Sequence, residues 1–137
     1  MTVRYFLDTN VLIYGAAGKH DEPEKYRRAV TLIQQEDFGT SGQVLQEFYV
    51  NVIRKPLKPL SPLEALRWIE QLEVQPCAQI DAILVRQGII LAQRFRISYW
   101  DGAILAAAET LGARILYTED LSHGQIYGSV RVENPFL

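Results

Sequence analysis

Short apolar runs that stop at a polar or acidic residue alternate along this chain with longer segments of helical period. That alternation leaves few ways to fold. Val3–Leu7 is a β-rich run closed by Asp8, Phe38–Ser41 is a brief extended piece, and Arg114–Thr118 is a run with acids just beyond it. Val130–Val132 supplies another, and Val74–Gln79 reads as a short strand or a connection. Runs this short bury their backbone polar groups only by pairing with one another. Strands separated by helices pair in parallel, with the helices laid over both faces. The expected fold class is therefore α/β, a layered sandwich around a central parallel sheet.

The helices are read from period and caps. Asp8, Thr9 and Asn10 are all good N-cap types, so Asn10–Tyr14 reads as the start of a helix or a helical turn. Gly15–Pro23 reads as a polar, Gly-containing loop. Tyr26, Ala29, Val30 and Ile33 fall at helical spacing within Glu24–Gln35. Ser41 or Gly42 caps a helix carrying Val44, Leu45, Phe48 and Val52, which stops before Pro56. Ser61 and Pro62 open a helix to about Leu72. A helix from about Asp81 to Phe95 follows, then an alanine-rich one from Trp100 to Leu111, ended by Gly112. Gly124–Gly128 reads as a loop. No internal repeat and no linker divides the chain, so residues 1–137 are expected to form one domain.

Composition excludes several classes. Cys77 is the lone cysteine, so no internal disulfide is available and nothing points to an oxidising compartment. With His20 and His123 in unrelated loops, a zinc site has almost no ligands. The opening residues reach Asp8 too soon for a signal peptide, and no apolar run approaches the length of a membrane span. A cytoplasmic location is expected. The net charge of −2, from 14 Lys and Arg against 16 Asp and Glu, does not advertise nucleic-acid binding. An anionic substrate would need a local basic patch, or metal ions that invert the local charge.

Four acids stand out by position. Asp8 ends the first strand. Asp120 lies two residues past the strand ending at Thr118, with Glu119 beside it. Asp101 lies in the first turn of an apolar helix, and Glu47 lies beside the Val44/Phe48 stripe. Each has an ordinary reading: a helix cap for Asp8, a dipole-favoured first-turn acid for Asp101, a solvated helix residue for Glu47, a polar turn for Asp120. Jointly they say more. A parallel sheet brings Asp8 and Asp120 to the same carboxyl-end edge, and a carboxylate beside an apolar stripe needs a partner. Converging carboxylates repel and drift toward protonation unless a cation relieves them. Hard Mg²⁺ or Mn²⁺ prefers such oxygen ligands, and one or two such ions suit phosphodiester hydrolysis.

These segments resemble a known family. Phe6-Leu7-Asp8-Thr9-Asn10-Val11-Leu12-Ile13-Tyr14 is similar to the opening motif of PIN domains, especially the VapC-type toxin ribonucleases. Ser41, Val44, Leu45 and Glu47-Phe48 resemble the second motif, Tyr99-Trp100-Asp101 the third, and Ile115 to Leu121 the fourth. Order and spacing match across nearly the whole chain. The resemblance implies an α/β/α sandwich and a metal-dependent endoribonuclease whose Mg²⁺ or Mn²⁺ is held by Asp8, Glu47, Asp101 and Asp120. It makes Asn10 and Thr118 polar supports, and it implies a homodimer blocked by a cognate antitoxin protein. The fourth acid is Glu119, Asp120 or both. Alternation along an extended chain favours one of them, and Asp120 matches the family position better.

Other residues carry weaker readings. Arg54, Lys55 and Lys58 form the densest basic stretch, either tracking RNA phosphates or simply solvated. Arg94 and Arg96 share that ambiguity. His123 is a remote candidate for proton transfer. Cys77, Tyr14, Phe48 and Trp100 read as packing residues. A haloacid-dehalogenase-like phosphatase would need a second Asp where Asn10 stands, and a receiver domain would need an acidic pair near the start. The non-enzyme alternative is a PIN fold used as an RNA- or protein-binding module, which loss of the carboxylates would mark. All four positions are acidic.

Overall fold

Tyr5, Phe6 and Leu7 are at most 4% exposed, which is what a strand covered on both faces requires. The computed structural model describes residues 2–137. In chain order the elements are β1 (Tyr5–Leu7), α1 (Thr9–Ala17), α2 (Pro23–Gln34), β2 (Phe38–Ser41), α3 (Gly42–Val52), α4 (Pro62–Leu72), β3 (Cys77–Ala78), α5 (Ala82–Phe95), α6 (Tyr99–Thr110), β4 (Ile115–Tyr117), β5 (Ile126–Tyr127) and β6 (Val130–Glu133).

The strands form one sheet in the order β3-β2-β1-β4-β6-β5. Every neighbouring pair is parallel except β5 with β6. Strand β1 sits between β2 and β4, with Tyr5 opposite Ile115 and Leu7 opposite Tyr117. The chain steps outward from β1 through β2 to β3, then crosses to β4 on the other side. The C-terminal ends of β1 and β4 therefore flank a switch point, where open α/β sheets leave a crevice. Helices α1 to α4 pack on one another and α5 packs along α6, so the sheet is the middle of three layers. Phe6, Leu7, Leu116, Val130 and Val132 are fully buried between them. Among the described residues no helix is long and apolar enough to cross a membrane.

Two local expectations are corrected. Helix α1 does not stop at Tyr14 but runs through Gly15 to Ala17. A Cβ on Gly15 would stand 2.5 Å from Ile33 Cδ1, so this glycine serves the close approach of α2 and does not break the helix. The segment Gly124–Gly128 is not all loop. Ile126–Tyr127 pairs antiparallel with β6 through a two-residue turn, with Gly128 at φ +63°.

Candidate active site

The site is built where β1 and β4 end. The ladder continues one step past both strands, with the Asp8 N–H donating to Tyr117 O and the Thr118 N–H to Glu133 O, each at 3.1 Å. Asp8 then turns the chain as the N-cap of α1, and its Oδ1 accepts from the Thr9 N–H at 2.8 Å. Asp8 thus caps the helix while also lining the cleft. Thr118 is wholly buried beside it. Its hydroxyl accepts from Asn10 Nδ2 at 3.3 Å and from the Asp120 N–H at 3.1 Å. Its single hydrogen is left for Asp8 Oδ2 at 2.8 Å. Asn10 Nδ2 also donates to Asp120 Oδ2 at 3.2 Å. Asp8, Asn10, Thr118 and Asp120 form one connected network.

Glu47 and Asp101 come from two other helices. Ser41 caps α3, accepting from the Val44 N–H at 3.2 Å, and Glu47 follows one turn later. Gln43 Nε2 reaches Glu47 Oε1 at 3.4 Å and Trp100 O at 3.3 Å, tying α3 to the start of α6. Ser98 caps α6, accepting from the Asp101 N–H at 3.1 Å. Glu47 and Asp120 are both exposed residues, so Glu47 does not need the buried partner that its place beside the Val44/Phe48 stripe suggested. Its face of α3 turns to the cleft and not to the core.

The four carboxylates act on one another. Burial pushes Asp8 up to about 6, against the bonds from Thr118 and Thr9, and the charges of Asp120 and Glu47 push the same way. Burial raises Glu47, with Asp120 and Asp101 adding to it despite Gln43. Burial raises Asp101 against its bond to Ser98, with Asp120 adding. Asp120 is the common neighbour of the other three. A cleft of about 440 Å³ is lined by residues that include Asp8, Asn10, Glu47, Glu119, Asp120 and Lys55. Asp101 is not among the lining residues, nor are Arg54 and Lys58.

The donor set suits a hard cation in one respect and leaves it incomplete in another. Asn10 Oδ1 is buried with no hydrogen-bond partner, on a side chain whose Nδ2 is spent on Thr118 and Asp120. Among the described residues, however, no three His, Cys, Asp or Glu side chains close into a cage. An ion such as Mg²⁺ that keeps several of its waters needs only one or two direct carboxylates, so the residues fit such an ion better than a fully dehydrated one.

Glu119 and Asp120 are parted. Asp120 meets Asn10, whereas Glu119 accepts from the Tyr14 hydroxyl at 2.7 Å and pairs with Lys25 at 3.1 Å. His123 is exposed, and its Nδ1 accepts from the Asn134 N–H at 2.9 Å. Phe48 is fully buried as expected, but Trp100, expected in the core, is 65% exposed. Sequence reasoning passed over Gln43, Ser98 and Lys25. Gln43 stands four residues before Glu47 and Ser98 three before Asp101, spacings that could have found both. Lys25 had no local signal.

The comparisons with known proteins agree with this architecture. None of the curated proteins matches the chain. Among solved structures, the chain is similar to VapC20 of Mycobacterium tuberculosis, described as a sarcin-ricin loop cleaving toxin. The TM-score is 0.67 and the identity 20%, over 85% of this chain and 89% of that one. A toxin-antitoxin complex from Klebsiella pneumoniae matches with a TM-score of 0.68 at 19% identity, over 96% and 97%. DNA-bound VapBC from Salmonella typhimurium matches with a TM-score of 0.66 at 17% identity, over 96% and 98%. These likenesses show a shared fold. The PIN domain pattern itself matches residues 5–128. By that match, which takes in both strand ends of the site and all four acids, the chain belongs to the PIN domain family.

Proposed function

We infer that the protein is a metal-dependent endoribonuclease, the toxin of a toxin–antitoxin pair, formed by residues 1–137 as one domain. One observation carries the reading. Asp8, Glu47 and Asp101, drawn from three separate parts of the chain, all feel the charge of Asp120, which raises the pKa of each, with an unpartnered Asn10 oxygen on a residue that Asp120 touches. A structural set of acids would be spread apart or neutralised by arginines and lysines.

Asp8, Glu47, Asp101 and Asp120 would hold Mg²⁺ or Mn²⁺, which when bound supplies an activated water and steadies the leaving oxygen of a phosphodiester. The chain's own groups do the positioning. Thr118 fixes the Asp8 carboxylate through its only hydrogen, and the Thr9 N–H holds the other oxygen. Asn10 holds Asp120, and its unpartnered oxygen would be available to a bound ion. Lys55, the lone Lys or Arg among the lining residues, would meet a substrate phosphate. Arg54 and Lys58 add charge outside it.

The neighbours' descriptions support the biological setting, since they name a toxin and a toxin–antitoxin complex. In that setting the protein acts on RNA in the cytoplasm, as a homodimer held in check by a cognate antitoxin. The test is RNA cleavage by the purified protein with Mg²⁺ or Mn²⁺, and with chelator, for wild type, Asp8→Ala and Asp101→Ala. Metal-dependent cleavage lost in both variants, with circular dichroism unchanged, is expected. Absence of cleavage of structured and unstructured RNA alike by antitoxin-free protein would favour a binding module.

A further inference from the structure

Helix α1 presents Asn10 and Tyr14 one turn apart, on the same face. The two neighbouring acids after β4 divide between them. Asp120 meets Asn10 at 3.2 Å, and Glu119 meets the Tyr14 hydroxyl at 2.7 Å. Both oxygens of Glu119 are taken, since Oε1 accepts from Tyr14 and Oε2 from Lys25 Nζ at 3.1 Å. Lys25 Nζ also reaches the Tyr14 hydroxyl at 3.3 Å and lies 4.9 Å from the Tyr14 ring centre and 5.6 Å from that of Phe136. Phe136 meets Tyr14 edge to face at 5.0 Å. Burial works to lower the Lys25 pKa, yet Glu119 and Tyr14 outweigh it and raise it. This is more than a surface ion pair, because a cation and a phenol from two helices converge on one carboxylate, with the Phe136 ring packed against both.

Glu119 nevertheless lines the same cleft as Asp8, Glu47 and Asp120. Released, it would add a further carboxylate to the cluster. The geometry points to Lys25 and Tyr14 as a clamp that keeps Glu119 out of the ion-binding set, so that Asp120 alone of the two adjacent acids serves it. The clamp rests on the reading of the carboxylates as an ion site. Lys25 and Tyr14 are positioning residues within it. They set how many negative charges face the ion, and so how tightly the ion is held.

The experiment is Mn²⁺ binding to the full chain, read from the electron paramagnetic resonance of free Mn²⁺ and needing no substrate. The variants are Lys25→Met, Tyr14→Phe and Lys25→Met combined with Glu119→Gln, each checked by circular dichroism. Lys25→Met is expected to bind Mn²⁺ about tenfold more tightly, the order of effect one added net charge has on a nearby cation. Tyr14→Phe changes no charge and is expected to tighten binding about threefold by freeing one Glu119 oxygen. The double variant is expected to return to the wild-type affinity. Loss of packing alone would weaken binding, and net charge alone would leave Tyr14→Phe at the wild-type affinity, so a gain in Tyr14→Phe as well as in Lys25→Met is specific to the clamp. Wild-type binding with Tyr14→Phe unchanged or weaker overturns the clamp alone, whatever Lys25→Met does, as does tight binding that survives Glu119→Gln. Absence of Mn²⁺ binding by wild type overturns the ion site and the clamp together.

Discussion

Asp8 is a carboxylate only 7% exposed within an acidic cluster. Its folded pKa of about 6 lies above the unfolded value of about 3.9. An acid raised in this way favours the fold fully below the unfolded value, and that contribution is lost as pH rises through the folded one. A shift of about 2 units corresponds to roughly 3 kcal/mol. Ion-free wild type is therefore expected to lose stability between pH 4 and pH 7 relative to Asp8→Ala, measured by urea titration at several pH values. Parallel curves would refute the assignment. The same ionisation is required of a cation ligand, so Mn²⁺ affinity is expected to fall as pH is lowered through 6. At this scale the sequence was partly legible. Asp8, Asn10, Thr118 and Asp120 lie within two short stretches whose strands are adjacent, and the spacing exposed them. Lys25 lies on an ordinary amphipathic helix, and only the approach of α2 to α1 and to the C-terminal segment gives it a role. Trp100 looked like core because aromatic character does not reveal which way a helix start faces.

Among the elements, α5 and α6 cross in close contact. A Cβ on Gly102 would be driven into the Gly88 carbonyl oxygen and would stand 3.0 Å from the Ala92 Cβ, while one on Gly88 would stand 3.1 Å from the Ala103 Cα. The facing glycines let the two backbones touch, and Gly102 directly follows Asp101. Gly102→Ala is expected to cost about 1–3 kcal/mol by overpacking, despite the better helix propensity of alanine. Because α6 must move to relieve the clash, Asp101 moves with it, and Mn²⁺ affinity is expected to fall as well. Thermal melting and metal binding check the two effects separately. Unchanged melting would mean the crossing is loose. Most elements were readable from period and caps, as with Ser61 and Pro62, which open α4 through a complete capping box with Glu64. Gly15 misled because a glycine that admits a neighbouring side chain looks in sequence like one that ends a helix. Strand β5 was hidden because two residues carry no periodicity, although the Gly128-Ser129 pair was a hairpin signal.

For the whole molecule, a cation that binds only the folded state stabilises it by mass action. At a free Mn²⁺ concentration of a hundred times Kd the gain is about 2.7 kcal/mol. Calorimetry is expected to show a melting temperature several degrees higher with Mn²⁺, reversed by chelator and absent in Asp120→Ala. Equal shifts in wild type and variant would place the ion elsewhere. The layered architecture followed from the alternation of strand and helix, but the position of β1 between β2 and β4 did not. No residue encodes which strand will lie beside it, and the packing of whole layers decides that. The sheet ends at both margins in a strand of two residues, Cys77–Ala78 on one side and Ile126–Tyr127 on the other. So small a ledge offers an intruding chain almost no backbone to zip onto. A second chain therefore gains little by adding a strand at either margin, which favours recognition through side chains over strand addition.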